Sequence, residues 1–168
     1  GEGVTLVKPG ERVAYAATIG AYSEVRNIPA DRLVKIPDGV SDQTAAAMML
    51  KGMTAEYLLC RTFNVMPGHT ILFHAAAGGV GLIAGQWAKS IGATMIGTAR
   101  GVEKAALAKA NGYDHVIDYS KEDLVARVKE LTGGKGVDVV YDSIGKDTWE
   151  KSLDCLKPRG MFVTFGQS

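Results

Sequence analysis

The stretch Thr70-Ile71-Leu72-Phe73-His74-Ala75-Ala76-Ala77-Gly78-Gly79-Val80-Gly81, followed at once by Leu82-Ile83-Ala84-Gly85-Gln86-Trp87-Ala88, decides the fold. An apolar run of strand character ends in a glycine turn, and an apolar helical pattern begins with no linker between them. Against the pattern G-x-G-x-x-G the aligned positions are Ala76, Gly78 and Gly81, so alanine stands in place of the first glycine. In such a turn the middle glycine lets the backbone approach a pyrophosphate, and the last lets the helix lie close on the sheet. The anion sits at the helix N-terminus, where N–H groups have no partner inside the helix. Close helix–strand packing alone would also use these glycines, but a turn that follows the first strand of a βαβ series favours dinucleotide binding.

Downstream of the turn the period is regular. Apolar runs at 71–75, 94–99, 115–119, 137–142 and 161–165 alternate with helical patterns at 80–91, 103–111, 121–131 and 148–156. A parallel return between such strands needs a crossover, so the helices must cover both faces of a parallel sheet. The expected class is α/β, a doubly wound parallel sheet of strand order 3-2-1-4-5, the Rossmann arrangement. Gly92, Gly112 and the pair Gly133-Gly134 each follow a helical pattern, where a left-handed C-cap is favoured.

Upstream the pattern is different. Residues 11–17 read as a strand, and short apolar runs at 13–16, 21–25 and 33–36, punctuated by Gly20, Pro29 and Pro37, suggest small β-elements too few to close a β-domain. Ser41 offers an N-cap to an Ala-rich helix at 42–50, and after Lys51-Gly52 a second helix is expected at 54–62. The domain boundary is placed at residue 42, dividing the chain into 1–41 and 42–168. With neither an initiator Met nor a targeting pattern at its start, the chain reads as one entered in the middle.

Composition excludes several classes. With 46% hydrophobic and 22% charged residues the 168-residue chain is that of an ordinary globular protein, long enough for one substantial core. A net charge of +1, from 19 Lys+Arg against 18 Asp+Glu, makes no electrostatic case for nucleic acid or an acidic membrane. Cys60 and Cys155 can build neither a disulfide framework nor a C-x-x-C motif, which makes a reducing, cytoplasmic compartment the default. The longest nearly uncharged run, 71–89, carries four glycines and a histidine and is a poor match to about 20 residues of membrane-spanning helix.

The end of the second strand discriminates between dinucleotides. An NAD-binding chain places Asp or Glu there, on the ribose 2′-OH. This chain has Thr98-Ala99-Arg100-Gly101-Val102-Glu103-Lys104, with Arg100 where the acid would stand and Lys104 one helical turn beyond. A 2′-phosphate would be repelled by a carboxylate and held by two cations, so NADP(H) is expected over NAD(H). The competing reading is a pair of solvated surface charges, one of them neutralised by Glu103.

The segments 74–81, 51–54 (Lys51-Gly52-Met53-Thr54), 140–143 (Val140-Tyr141-Asp142-Ser143) and 160–166 together resemble the zinc-independent NADPH:quinone oxidoreductases related to ζ-crystallin, in the medium-chain dehydrogenase/reductase superfamily. The resemblance covers almost the whole chain. It implies an intact protein about twice this length, with residues 1–41 the end of a GroES-like catalytic domain and residues 42–168 an NADP(H)-binding domain whose last strand follows Ser168. It places Gly78, Gly79, Val80 and Gly81 along the pyrophosphate, Lys104 and Arg100 on the 2′-phosphate and Tyr119 on the adenosine side. Ser143 would lie by the bound dinucleotide, and Thr54, Gly166 and Ser168 would approach the nicotinamide. Ser143 could equally cap the helix after it, and Tyr119 could equally serve as a core lid.

The same resemblance implies hydride transfer to a quinone or related conjugated carbonyl by a cytoplasmic homodimer whose edge strand is covered by the second subunit. The alternatives are an enoyl or alkenal reductase on the same cofactor domain, and a fragment that binds NADPH without turning it over. No catalytic residue is assigned. Nor is a metal: no structural-zinc lobe with closely spaced cysteines intervenes between Gly10-Glu11-Arg12-Val13 and Gly20-Ala21-Tyr22-Ser23, and His69, His74 and His115 are too scattered in sequence to make a site. Met48, Met49, Met53, Trp87, Trp149 and both cysteines are read as packing residues, and Lys157 and Arg159 as solvated charges of a turn around Pro158.

Overall fold

Three buried residues in a row, Ile71, Leu72 and Phe73, make β3 (Thr70–Phe73) a strand covered on both sides. The computed structural model describes residues 1–16 and 18–166. Within it the chain forms two compact units, Gly1–Met53 and Thr54–Ser168.

In the second unit β3 is followed by α2 (Gly79–Ile91), β4 (Thr94–Thr98), α3 (Val102–Ala110), β5 (His115–Ile117), α4 (Leu124–Leu131), β6 (Val137–Asp142), α5 (Trp149–Asp154) and β7 (Leu156–Thr164). The five strands form one parallel sheet in the order β5-β4-β3-β6-β7, which is the expected 3-2-1-4-5 counted from β3. Alternate side chains of a strand face opposite ways, and each face has its own core. Ile71 and Phe73 pack with Met95, Val139, Tyr141, Ala84 and Ala88, whereas Leu72 packs with Ile96, Ile117, Val140, Leu124 and Val128.

Helix α2 lies close to the sheet because side chains are missing along its contact line. A Cβ on Gly81 would stand 2.6 Å from the Ala76 carbonyl oxygen, and one on Gly85 would stand 2.5 Å from the Asn111 carbonyl oxygen. The space beside Gly85 and Gly97 is filled by the buried ring of Tyr113, whose hydroxyl donates to the Gly81 carbonyl at 2.9 Å. Gly92 ends α2 with φ 96° and its N–H bonded to Ala88 and Lys89, and Gly112 (φ 96°) and Gly133-Gly134 (φ 58° and 80°) take the left-handed conformation after α3 and α4 as expected.

Several sequence-based expectations need correction. The helix at 42–50 does not stop at Lys51-Gly52: α1 (Asp42–Glu56) runs through both and passes into a π-helical turn, Tyr57–Thr62. Gly52 costs a helix only about 1 kcal/mol against alanine, too little to end one whose start is secured by Ser41, whose Oγ accepts the Thr44 N–H. The helix expected at 121–131 begins at Leu124, because Asp123 caps it by accepting the Ala126 N–H. Pro158 and Arg159 lie inside β7, in an irregularity where the register against β6 shifts between Val137 and Val139 and Arg159 takes φ 64°. Trp149, Met48, Met53 and Cys60 are exposed, whereas Trp87 packs on the core and Cys155 is buried.

The first unit carries one antiparallel pair, β1 (Val13–Ala14) with β2 (Val34–Lys35). The strand expected at 11–17 is shorter in its described part, and no strand forms at 21–25, where residues 22–25 are bends. Arg12 ties this pair to the start of α1 through Asp42 Oδ1, at 2.7 Å, and through the Val40 carbonyl. The expected domain start, residue 42, is the first residue of α1, and the compact units part within that helix. Among the described residues no helix is long and apolar enough to cross a membrane.

Two glycine substitutions have opposite expected signs. Gly85→Ala forces a backbone carbonyl and the Tyr113 ring apart and is expected to cost about 3 kcal/mol. Gly52→Ala meets only the flexible Met48 side chain, at 3.5 Å, and is expected to stabilise by about 0.5–1 kcal/mol. Urea midpoints at unchanged slope read both.

Candidate functional site

The C-terminal ends of β3, β4 and β6 and the N-terminus of α2 enclose a groove of about 360 Å³ lined by Ala75, Ala77, Gly78, Thr98, Ala99, Arg100, Lys104, Tyr119 and Ile144. At its floor the chain turns sharply: Ala75 takes φ 53°, and its carbonyl accepts the Gly78 N–H at 2.8 Å. A non-glycine residue there holds strain of about 1–2 kcal/mol. Gly78 is the N-cap of α2 and offers no side-chain acceptor, and the first N–H to bond back is that of Leu82, to Gly78 O at 2.9 Å. The N–H groups of Gly79, Val80 and Gly81 therefore belong to an uncapped first turn, an arrangement that attracts an anion.

Cations stand at one end of this groove. Arg100 and Lys104 are both exposed, and neither makes an ion pair with a carboxylate among the described residues, Glu103 included. The Arg100 guanidinium lies over the half-buried Tyr119 ring, 4.8 Å from its centroid, a cation–π contact that holds the charge at the groove. Asp118, beside Tyr119, is committed elsewhere. It accepts from the Ser120 hydroxyl at 2.6 Å and from the Gly101 N–H at 3.1 Å, and these bonds hold its carboxyl below the ordinary carboxylate range. They also tie the loop after β4 to the loop after β5.

Beneath the groove lies a buried polar chain that no sequence motif announced. His74, Thr98, Asp142 and Ser152 are fully buried and Thr148 nearly so. His74 Nδ1 is 3.1 Å from Thr98 Oγ1 and its Nε2 is 2.9 Å from Ser152 Oγ. Ser152 and Thr148 donate to Asp142 Oδ2 at 3.2 and 2.7 Å, and the N–H groups of Ile144 and Gly145 donate to Oδ1 at 2.8 and 2.9 Å. Burial pushes the Asp142 carboxyl up, but the Gly145 N–H, the Thr148 hydroxyl and the Ile144 N–H outweigh it and leave the group ionised at neutral pH. Burial pushes the His74 imidazole below its ordinary value against a weaker pull from Asp142. The Ser152 proton goes to the carboxylate rather than to the imidazole, so this is not an activated nucleophile.

Of the residues expected at a cofactor site, Gly78, Arg100, Lys104 and Tyr119 line the one groove, and Gly79, Val80 and Gly81 form the helix start beside it. Ser143 does not cap α5, whose N-cap is Thr148; it neighbours Gly166, whose added Cβ would meet Ser143 Cβ at 3.9 Å. Thr54 is half-buried in α1 and is not among the groove's lining residues, and Ser168 lies outside the described residues. Among the described residues no three His, Cys, Asp or Glu side chains gather as a metal site.

Residues 79–168 match a family model described as zinc-binding dehydrogenase. The chain is 56% identical over 169 aligned residues to a quinone oxidoreductase of Pseudomonas aeruginosa and 53% identical over 171 to a 2-haloacrylate reductase of a Burkholderia species. All of the chain aligns in both comparisons, covering 52% of the first relative and 51% of the second, so it spans about half the length of the curated relatives it matches. A crystal structure of the Escherichia coli quinone oxidoreductase complexed with NADPH superposes with a TM-score of 0.96 at 55% identity, over 99% of this chain and 52% of that one.

The buried chain contributes to the acid limb of stability. Because the folded state lowers the His74 pKa, its contribution is complete above the ordinary value of 6.5 and is lost as pH falls from there toward the folded value. The carboxyl of Asp142, also lowered, acts in a separate window below its ordinary 3.8, which it shares with the lowered carboxyls of Asp114, Asp118 and Asp138. Melting temperatures measured from about pH 8 to 3 are expected to fall in two steps, with His74→Gln abolishing the first and leaving the second. At neutral pH the variant is expected to lose about 1–3 kcal/mol.

Proposed function

Because the chain belongs to the zinc-binding dehydrogenase family, we propose that it is the NADP(H)-binding part of a quinone oxidoreductase of the medium-chain dehydrogenase/reductase superfamily, acting without zinc. The observation that carries this reading is the groove itself: an uncapped glycine-rich helix start, with two cations that make no ion pair among the described residues standing after β4, where an NAD site would hold an acid, and the Tyr119 ring beneath one of them. The family's description implies a metal, but the described residues do not supply a ligand set for one.

In this reading the N–H groups of Gly79, Val80 and Gly81 hold the pyrophosphate and Gly78 admits it. Lys104 and Arg100 grip the 2′-phosphate, with Tyr119 holding the guanidinium flat beside the adenosine. Ser143, Gly166 and Thr54 are assigned to the nicotinamide end. The bound NADPH supplies the hydride, and the protein's contribution is to orient it and keep water away. An electron-poor quinone needs little acid–base help from the protein. Identity to a 2-haloacrylate reductase favours, as a second reading, reduction of a conjugated carbonyl by the same cofactor half. A homodimer in the cytoplasm is the proposed setting.

Calorimetric titration is expected to show NADPH bound at least about tenfold more tightly than NADH, since each charge-assisted contact adds about 1.5–3 kcal/mol. Lys104→Ala and Arg100→Ala should each remove about tenfold of that preference while leaving NADH affinity nearly unchanged. Equal affinities in the unaltered chain overturn the cofactor assignment. In the full-length protein, NADPH oxidation with a simple quinone against a haloacrylate separates the two substrate readings.

Gly78→Val tests the anion seat. Residue 78 has an ordinary φ of −77°, and its Cβ would meet the Ala75 carbonyl oxygen at 3.0 Å, a tight contact that the turn must relieve by a few tenths of an ångström. The branched side chain would then occupy the pyrophosphate's place. NADPH affinity should disappear with the fold retained; unchanged affinity shows that the glycine turn is only structural.

A further inference from the structure

His74 follows β3, the middle strand of the sheet, and its ring reaches the ends of both neighbouring strands. On one side is Thr98, the last residue of β4; on the other, through Ser152 of α5, is Asp142, the last residue of β6. Those two ends carry the two walls of the groove. Thr98, Ala99 and Arg100 form one wall, and the loop after Asp142, whose Ile144 N–H is bonded to the Asp142 carboxylate, supplies the other.

Proton accounting gives the chain of bonds a direction. An ionised carboxylate only accepts, so the single hydroxyl hydrogen of Ser152 is spent on Asp142. Ser152 Oγ must then accept from His74, which puts the ring hydrogen on Nε2. Nδ1 is left as an acceptor and takes the hydroxyl hydrogen of Thr98. Every donor in the series points toward Asp142, and each bond polarises the next. A neutral imidazole suits this place because it is rigid, accepts at one nitrogen and donates at the other. Protonation would put a donor where the Thr98 hydroxyl already donates, and burial opposes it.

We propose that His74 is a positioning residue for the dinucleotide groove: as the neutral Nε2–H tautomer it links the Thr98 hydroxyl to the Asp142 carboxylate through Ser152 and thereby sets the separation of the groove's two walls. The affinity consequence rests on the NADP(H) reading above; the tautomer and the link between walls do not.

Long-range proton–nitrogen spectra of the 15N-labelled chain read the tautomer directly. They should show His74 protonated at Nε2 and bare at Nδ1; a ring protonated at Nδ1 overturns the proposal. Ser152→Ala removes the acceptor of Nε2–H. It should shift His74 toward the Nδ1–H tautomer, move the amide resonances of Ala99 and Arg100 on the far wall, and raise the NADPH Kd about tenfold. Ser152→Thr, which keeps the hydroxyl, should restore all three. Thr148→Ala, which touches Asp142 but is not on the route to Thr98, should leave the tautomer unchanged. If Ala99 and Arg100 do not respond to Ser152→Ala, the walls are not coupled and the proposal fails. Should Ser152→Ala not fold, the tautomer of the unaltered chain decides. Failure of the unaltered chain to bind NADPH overturns the cofactor reading, and the tautomer and amide shifts still decide this one.

Discussion

A side chain at residue 81 would put a carbon 2.6 Å from the Ala76 carbonyl oxygen and 2.7 Å from that of Ala75, closer than such atoms approach in proteins. The missing side chain lets α2 lie directly on the strand ends, and the rest of the site depends on that approach. It brings the uncapped first turn of α2 to the mouth of the groove. Two more missing side chains, at Gly85 and Gly97, leave room for the Tyr113 ring to seal the helix against β4, with its hydroxyl on the Gly81 carbonyl. Burial raises the Tyr113 phenol far above its ordinary value, so the ring stays neutral and keeps donating.

The second constraint is the treatment of charge at the strand ends. A carboxylate buried at the end of β6 would be costly unless its lone pairs were filled. Asp142 fills them with two backbone N–H groups and two hydroxyls, and one of those hydroxyls extends the chain to His74 and Thr98. The opposite policy holds above, where Arg100 and Lys104 stand exposed and make no ion pair with a carboxylate among the described residues. Below the groove charge is satisfied internally and lends rigidity; at its rim charge is left available to a ligand. At the other ends of the strands Asp114 and Asp138 accept the Met95 and Thr70 N–H groups and pair with Lys89 and Lys157, so the sheet is tied at both ends.

The sequence by itself determined the class of sheet, its order and the place of the helix start. These follow from local rules: runs of apolar residues too short for helices, glycines where backbone must turn left-handed or lie close, and the crossover that parallel strands require. Arg100 and Lys104 were legible for the same reason, since a strand end one crossover after the glycine turn has a known place relative to it. The N-terminal strands and the supposed break at Gly52 were misread. There propensity was weak and tertiary context decided, as when Arg12, 30 positions away in sequence, holds Asp42 at the helix start.

Only the tertiary structure decided which distant side chains meet. His74 and Ser152 are 78 positions apart and Gly81 and Tyr113 are 32 apart. Arg100 comes to lie over Tyr119 because β4 and β5 are neighbours. No periodicity encodes such pairs. Their geometry is set by strand order and by the direction of each crossover, and a buried serine or histidine looks the same in sequence whether it fills space or carries a hydrogen bond across the sheet.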